Sequence, residues 1–302
     1  MNALLYCADP LRPRQVDAHF ASEAALARDL GARIALIDHD ALLAGRPDDA
    51  VARVPADLGP AWYRGWMIPS DRYAALDAAL HQHGVRLATT PGHYQAAHEL
   101  PGWYPLFAPA SPASAWTPCA PRRAPDHAAL ARLAEQLPPG PGIVKDYVKS
   151  RKHDWHTACY LPNLTDTAAV HHTVGSFVDL QDDALTGGIV LRAFEPFDTA
   201  TGEARVWWLD AAPILISAHP DTPHQCPSPD VRQATTLVAA FDARFITTDL
   251  ALRNDGAWRI VEVGDGQVSD LPSGTNPTAL LTALITAATE SEQPPGEGEG
   301  AT

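Results

Sequence analysis

The sequence predicts a protein of two parts: an α/β domain built on a parallel sheet, and an α+β region in which antiparallel strands dominate. In residues 1–100, short apolar runs alternate with segments of helical periodicity, which is typical of strand–helix–strand units. In residues 142–290, strand-like runs outnumber helices, and Asn254-Asp255-Gly256 marks a hairpin turn. The chain has 302 residues, of which 46% are hydrophobic, so it can bury a large core without disulfides.

The first hundred residues are predicted to contain four strands and three helices. The strands are the apolar runs Ala3–Cys7, Ile34–Ile37, Trp62–Ile68 and Val85–Ala88. The first helix ends at Gly31, because glycine suits a helix C-terminus. The second helix runs from Ser70, an N-cap residue, to Gly84, and the third begins at Thr90-Pro91 with proline in its first position.

Residues 101–141 contain ten prolines and are predicted to form an irregular connector with one helix near Asp126–Gln136. Beyond it, a helix is predicted at Val231–Arg244. Strands are predicted at Gly142–Val148, Ile189–Phe194, Ala204–Leu209, Pro213–Ser217, Phe245–Leu252 and Trp258–Val263. The expected domains are residues 1–120, which include about half of the connector, and residues 121–289. A disordered acidic tail is expected at 290–302.

Composition excludes several classes of protein. The formal net charge is −14, which argues against a nucleic-acid partner, because such proteins concentrate positive charge. The four cysteines lack metal-type spacing and are predicted to be free thiols. No signal peptide or long apolar run is evident, so we expect a cytoplasmic protein with no membrane partner. The P-loop, GxGxxG, HExxH and GxSxG motifs are also missing.

The first candidate site is a cluster of cations in this otherwise acidic chain. Lys145, Lys149, Arg151 and Lys152 fall within eight residues. If Gly142–Val148 is a strand, Lys145 and Lys149 lie on one face of it and could clamp a polyphosphate. The alternative is a solvated edge strand whose lysines prevent aggregation.

Two arginines inside strand-like runs form the second candidate site. Arg192 lies in an apolar run and Arg205 precedes two tryptophans. A buried guanidinium without a partner is costly, so both side chains need an anion. That anion is either a ligand or an internal carboxylate, for which Glu195 and Glu203 are the candidates.

The third candidate site is a set of carboxylates around the predicted hairpin. Asp249 and Glu262 lie on its two strands and can face each other. Two carboxylates inside a sheet repel each other unless a cation joins them, and Mg²⁺ prefers oxygen ligands together with phosphate. Asp265, just past the second strand, is a possible third ligand. The alternative is a pair of surface carboxylates.

Lysines, strand arginines and carboxylates in this order resemble the site of an ATP-grasp protein, and most closely the clade named for one arginine and two lysines. The resemblance covers about residues 60–275. The motifs that carry it are Tyr63–Met67 (YRGWM), Val144–Ser150 (VKDYVKS), Val190–Phe194 (VLRAF), Glu203–Val206 (EARV) and Ile260–Gln267 (IVEVGDGQ). It implies a Rossmann-like pre-ATP-grasp domain followed by a two-lobed ATP-grasp domain that holds ATP.

The resemblance also implies a role for each residue of the three clusters. Lys145 reaches the α-phosphate, with Lys149 as the second lysine of the clade; whether Lys152 takes that place is left open. The remaining assignments are the backbone around Phe194–Phe197 at adenine, Glu195 or Glu203 near the nucleotide, Arg192 and Arg205 at phosphates or an acyl-phosphate, and Asp249 and Glu262 at Mg²⁺. Two residues after the metal-binding glutamate, where the wider superfamily often has asparagine, this chain has Gly264, so the identity of the third metal ligand is left open.

The resemblance implies an ADP-forming ligase that joins a small-molecule or peptide carboxylate to an amine or another nucleophile. Arg64, in the YRGWM motif, is the candidate contact for an acidic substrate between the two domains. Its alternative is a structural arginine between two tryptophans. The alternative functions are a small-molecule kinase on the same scaffold and a non-catalytic nucleotide-binding protein. The sequence does not predict the oligomeric state.

Overall fold

The computed structural model describes residues 2–56 and 58–288, so the tail expected at 290–302 lies outside the described residues. The chain divides into two compact units. The first comprises Met1–Trp66, Ala75–Ala88 and the segment that begins at Pro277, and the second comprises Met67–Ala74 and Thr89–Asn276. The domain boundaries expected from the sequence stay a prediction.

The first unit is built on a four-stranded parallel sheet with strand order β2-β1-β3-β4. Its strands are β1 (Ala3–Cys7), β2 (Ile34–Ile37), β3 (Gly59–Arg64) and β4 (Val85–Leu87). All five residues of β1 are buried, as expected for the central strand of a sheet covered on both faces. This sheet confirms the parallel α/β prediction, with β3 beginning three residues earlier than expected.

Helices complete the first unit and reach it from both ends of the chain. They are α1 (Ala21–Asp29), α2 (His39–Leu43), α3 (Pro47–Val51), most of α4 (Ser70–Gln82) and α10 (Thr278–Thr286). The Leu284 carbonyl of α10 accepts hydrogen bonds from the Asn2 side-chain amide and the Trp62 indole N–H. These bonds fix α10 beside β1 and β3, so the end of the described chain completes the first unit.

Within the second unit, one antiparallel sheet has the strand order β5-β8-β6-β7. Its strands are β5 (Ser114–Pro118), β6 (Gly142–Asp146), β7 (Tyr160–Leu161) and β8 (Gly188–Ala193). The helices α7 (His127–Ala134) and α8 (Thr167–Gln181) cover it. Their apolar faces meet the sheet around Leu130, Phe177 and Leu191 in one buried core.

The other sheet of the second unit has the order β10-β9-β11-β12 and is also antiparallel. Its strands are β9 (Glu203–Leu209), β10 (Ala212–Ala218), β11 (Phe245–Leu252) and β12 (Trp258–Asp265). The helices α5 (Pro91–His98), α6 (Leu100–Phe107) and α9 (Arg232–Ala240) accompany it. Trp103, Trp208 and Val263 belong to its separate core.

The prediction of an irregular connector was wrong in part, and one helix of the second unit was not predicted. The connector is not irregular throughout, because α6 and β5 lie where prolines suggested a break. Pro101 lies in the first turn of α6, where no backbone N–H is needed, and Leu100, Trp103 and Phe107 keep the helical spacing of a buried face. The helix α8 was not predicted, although Asp166 caps its start.

The described residues show no helix long and apolar enough to cross a membrane. All four cysteines are free, as their spacing predicted.

Candidate active site

The lysine-rich segment leaves its strand earlier than the sequence suggested. The strand β6 ends at Asp146, whose carboxylate accepts the backbone N–H groups of Val148 and Lys149. The backbone N–H of Asp146 donates in turn to the Lys149 carbonyl, which closes a tight turn. Lys145 and Lys149 therefore do not share a strand face. Lys145 is buried, whereas the Lys149 side chain is exposed.

Lys145 is a buried cation that pairs with no carboxylate in the described part of the chain. The residue is 4% exposed, and its ammonium group makes no hydrogen bond or ion pair with any other described residue. Burial lowers the pKa of this group; the Glu262 carboxylate opposes the shift and Arg192 adds to it. A site that gathers positive charge in this way, out of water, is suited to an anionic ligand.

Arg192 is held in β8 by neutral partners. Its Nε donates to the Ser114 hydroxyl at 3.0 Å and its Nη1 to the Val261 carbonyl at 2.6 Å. Its Nη2 is buried and has no hydrogen-bond partner among the described residues, and burial lowers the pKa of the guanidinium. The internal salt bridge considered for Arg192 is absent within the same residues, because Glu195 pairs with Arg259 instead, at 2.9 Å.

A cavity of about 170 Å³ lies against these two cations. Its lining combines aromatic and apolar side chains, Ile143, Trp155, Phe194 and Phe197, with charged ones, Lys145, Lys152, Arg192, Glu195, Glu203 and Glu262. Of the two lysines left open, Lys152 lines this cavity and Lys149 does not. The prediction that Lys149 enters the nucleotide site is therefore not supported, because the turn at Asp146 directs it outward.

Two residues of the cavity lining, Trp155 and Phe194, belong to a cluster of three rings with Tyr160. Trp155 stacks on Tyr160 with ring centroids 5.2 Å apart, and Phe194 meets both rings edge-on. Phe194 is nonetheless 38% exposed, so the cluster presents an open apolar surface rather than a closed core. A flat, apolar ring system is the kind of ligand group that fits such a surface.

The predicted carboxylate pair does meet in the sheet. The strands β11 and β12 place Asp249 directly opposite Glu262, with a bulge after Asp249. Asp249 accepts two hydrogen bonds of 2.8 Å from the Arg205 guanidinium. Burial works against the charged form of Asp249, but Arg205 outweighs it and lowers the pKa of the carboxyl group. The same pairing raises the pKa of Arg205 against its own burial.

His219, just beyond β10, is a residue of this region that the sequence did not indicate. Its Nε2 is 3.5 Å from the Asp249 carboxylate, and its Nδ1 is 3.8 Å from that of Glu203. Burial raises the pKa of the Glu203 carboxyl group, and the positive charge of Lys152 opposes this shift. No spacing in the sequence marks His219, because only the pairing of β9 with β10 and β11 brings it to Asp249.

Asp265 does not form a metal-binding group with Asp249 and Glu262. Within residues 2–56 and 58–288, no three His, Cys, Asp or Glu side chains converge in a way that could hold a metal ion. Asp265 is three residues from Glu262, at the end of β12, and its Oδ1 accepts the Gln267 backbone N–H. At Gly264 a Cβ would lie 3.1 Å from the Thr247 hydroxyl, so the site has little room for a side chain there.

The charges present fit a magnesium–nucleotide ligand. Mg²⁺ is usually bound through one or two carboxylates and completes its shell with phosphate oxygens and water. Asp249 and Glu262 supply the two carboxylates, and Glu262 makes no ion pair with another described residue. Lys145 and the unpartnered Nη2 of Arg192 supply the donors that phosphate oxygens need.

Arg64 is a structural residue of the first unit rather than an available contact. The residue is 1% exposed, and its Nε and Nη2 donate to the two carboxylate oxygens of Glu23 at 2.9 and 2.8 Å. Tyr6 donates a further hydrogen bond to the same carboxylate. The expectation that Arg64 binds an acidic substrate is therefore not supported, and the structural alternative explains its burial and its paired geometry.

The two antiparallel sheets, with a cavity of cations, carboxylates and aromatic rings, define an ATP-grasp protein. The family model for the ATP-grasp domain of the clade named for one arginine and two lysines, family 3, matches residues 119–284, more than half of the 302-residue chain. The chain therefore belongs to this family, which confirms the resemblance and the predicted fold class. No curated protein matches the chain.

Solved structures share this fold at low sequence identity. The RimK domain ATP-grasp protein from Sphaerobacter thermophilus DSM 20745 is 13% identical with a TM-score of 0.58, covering 95% of this chain and 100% of its own. D-cycloserine synthetase DcsG is 16% identical with a TM-score of 0.58, covering 94% and 98%. The ATP-grasp ligase PsnB, complexed with minimal precursor, Mg and ADP, is 14% identical with a TM-score of 0.54, covering 93% and 97%.

Proposed function

We propose that this protein is an ATP- and Mg²⁺-dependent, ADP-forming ligase that activates a carboxylate as an acyl-phosphate and joins it to an amine. The observation that carries the proposal is the uncompensated positive charge of Lys145 and Arg192 beside Glu262 in one cavity. Buried charges without partners cost stability, so their presence points to a charged ligand. Membership in the ATP-grasp family gives that ligand its identity as ATP.

The cavity separates the parts of the nucleotide by their chemistry. The adenine ring lies on the open aromatic surface of Trp155 and Phe194. The phosphates lie by Lys145, Lys152 and the free Nη2 of Arg192, which donate hydrogen bonds to their oxygens. Both Lys145 and Glu262 line the cavity rather than facing away from it, which weighs against a protein that has lost its site.

The chemistry needs positioning and charge more than a covalent catalyst. A carboxylate oxygen of the substrate attacks the terminal phosphorus, and the phosphorus–oxygen bond to ADP breaks. Magnesium held by Asp249 and Glu262 supplies positive charge to the phosphate oxygens when it is bound. Arg205 is fixed by its two bonds to Asp249 and stabilises the negative charge that develops on the carbonyl oxygen when the amine attacks.

Hydroxylamine trapping tests the acyl-phosphate directly. The protein is incubated with Mg–ATP, a panel of carboxylic acids that includes the amino acids, and hydroxylamine, which converts an acyl-phosphate into a hydroxamate. We expect stoichiometric ADP and hydroxamate with at least one acid, and neither product with Arg192→Met. Arg244→Met is the matched control, because that arginine pairs with Asp210 on the surface away from the cavity.

The products separate the alternatives. ADP with a stable phosphorylated product and no hydroxamate would identify a kinase on the same scaffold. Nucleotide binding without ADP release from any acid would contradict the ligase proposal and favour a non-catalytic binding protein. A hydroxamate that forms equally well in the parent and Arg192→Met would contradict the role given to the uncompensated cations.

A further inference from the structure

A second cavity, of about 190 Å³, lies on the other side of Glu262. Its lining differs in charge from the first, with one cation, Arg205, among four carboxylates. The carboxylates are those of Asp249, Glu262, Asp265 and Asp270. Arg205 compensates Asp249, and Asp249 and Glu262 are the carboxylates assigned to Mg²⁺, so Asp265 and Asp270 supply the negative charge that attracts a cationic group such as an ammonium. Its volume holds several waters or one small organic group.

His98 contributes an imidazole to the lining of this second cavity. It is the last residue of α5 and stacks on Tyr94, with ring centroids 5.1 Å apart. The residue is 7% exposed, yet its ring nitrogens make no hydrogen bond or ion pair with any other described residue. A buried polar side chain that lines a cavity without a partner is suited to a ligand that supplies one.

We propose that the second cavity binds the amine substrate and that His98 accepts the proton that this amine loses when it attacks the acyl-phosphate. The inference rests on the proposed ligase function and adds to it the cavity in which the amine arrives as an ammonium ion and the group that receives its proton. A sulfur nucleophile has no use for the acidic lining.

The surroundings of His98 keep its imidazole neutral in the free protein. Burial, together with the charges of Lys149 and Lys145, lowers the pKa of His98 to about 4. A neutral imidazole has a lone pair that accepts an N–H hydrogen bond. The other charged and titratable groups near it are Tyr94 on its own helix and, across the cavity, Arg205, Asp249, Glu262, Asp265 and Asp270.

Lys145 couples His98 to the nucleotide. Its positive charge, like that of Lys149, disfavours a protonated imidazole, and a triphosphate beside Lys145 would offset the Lys145 charge. His98 therefore becomes a stronger base once the nucleotide is bound. This order is useful, because a proton acceptor works best when its pKa is close to the operating pH.

The atoms of the proposed step balance. The ammonium first releases one proton to solvent, and the neutral amine nitrogen then attacks the carbonyl carbon of the acyl-phosphate. The new C–N bond forms, one N–H proton passes to the His98 imidazole, and the C–O bond to phosphate breaks. The products are an amide, inorganic phosphate and a protonated His98, which returns its proton to water.

The test is an NMR titration of the full chain labelled with ¹⁵N-histidine. The His98 signal is identified by its loss in His98→Gln, and His93 on the same helix serves as the internal reference. In the free protein we expect the His98 midpoint near pH 4. With Mg–AMPPNP it should rise by about one pH unit or more. In the loaded protein at pH 7, methylammonium should shift the His98 signal with saturation, whereas tetramethylammonium, which has no N–H donor, should not.

Three results would overturn the inference: a His98 midpoint that does not respond to bound Mg–AMPPNP, a signal that methylammonium leaves unchanged, or an equal response to tetramethylammonium. Thermal stability measured in the same samples separates this failure from that of the ligase proposal. If Mg–AMPPNP does not stabilise the protein at all, the nucleotide site itself is wrong. If it does and His98 stays silent, only the role of His98 is wrong.

Discussion

The buried charges of this protein fall into two kinds that serve different ends. Arg64 with Glu23 and Arg205 with Asp249 are ion pairs whose partners complete each other at 2.8 Å. Lys145 and Arg192 have no such partner within the described residues. Removing one member of a buried ion pair leaves the other charge unpaired in the low-dielectric interior, which destabilises the fold. Removing an unpaired buried charge instead removes its desolvation penalty. Substitutions should therefore separate buried cations that have an internal carboxylate partner from those that have none.

Lys145→Met should leave the protein as stable as the parent or more stable, and should abolish the response to nucleotide. The substitution replaces a buried ammonium, whose pKa burial lowers, with an apolar side chain of similar length. Thermal unfolding with and without Mg–ATP measures both effects. A variant that unfolds well below the parent in the absence of nucleotide would mean that Lys145 stabilises the fold through an internal partner.

Arg64→Met should have the opposite effects on stability and on nucleotide binding. It leaves the Glu23 carboxylate buried and unpaired, which costs roughly 3–5 kcal/mol at pH 7, and it should not change the affinity for nucleotide. Although burial works against the charged form, Arg64 lowers the pKa of Glu23. A lowered pKa adds stability above the ordinary value of 4.5, and that stability is lost as the pH falls.

The destabilisation by Arg64→Met should therefore shrink as the pH falls below about 4.5, where Glu23 takes up its proton first in the unfolded chain and, at lower pH, in the folded parent. Urea unfolding at pH 7 and pH 4 measures the difference. A variant as stable as the parent at both pH values would contradict the structural role of Arg64 and reopen its role as a substrate contact. The sequence alone could not decide between the two roles, because the partner of Arg64 is 41 residues away.

At the scale of elements, apolar runs bounded by turn residues predicted strands well. The strands β1, β2 and β11 begin and end where the sequence indicated. The hairpin turn at Asn254-Asp255-Gly256 was also correct, because Gly256 adopts a positive φ of 91° that glycine favours. Neighbouring residues determine such strand bounds and turns, so short stretches of sequence are enough to predict them.

Elements whose termini depend on tertiary contacts were less predictable. The end of β6 is set by Asp146, whose carboxylate also accepts hydrogen bonds from the Gln181 side chain and the Thr186 backbone N–H. Both donors are 35 or more residues away. No local pattern reveals them, and this is why Lys149 was expected in the site. The helix α8 did carry a local signal, in the spacing of Val170, Val174 and Phe177.

Asp146→Ala tests how the turn after β6 positions the lysines. It leaves the two backbone donors of the turn and the Gln181 amide without their acceptor, so we expect a loss of roughly 2–3 kcal/mol in unfolding free energy. Nucleotide affinity should fall as well, because Lys145 and Lys152 flank the turn. Asp166→Ala, which removes an exposed N-cap of α8, is the control and should cost about 1 kcal/mol with no change in affinity. Equal nucleotide affinity in Asp146→Ala and the parent would contradict the account of this turn.

For the whole molecule, the residue types of the site were predictable but their grouping was not. The spacing within motifs indicated lysines, arginines and a carboxylate pair, and the register of β11 with β12 confirmed that Asp249 and Glu262 face each other. The contact that brings Arg192 to the Val261 carbonyl joins residues 69 positions apart. His98 and His219 likewise have neighbours that are distant in sequence and that only the folded chain brings to them.

The cavity around Lys145, Arg192 and Glu262 is predicted to bind magnesium and ATP together. Calorimetric titration of the parent and Glu262→Gln with ATP, in the presence and absence of Mg²⁺, measures this dependence. We expect the parent to bind ATP more tightly with Mg²⁺ than without it. Glu262→Gln should lose most of this dependence, because a metal carboxylate becomes a neutral amide. Absence of binding by the parent at millimolar Mg–ATP, or an affinity that Mg²⁺ does not change, would contradict the claim.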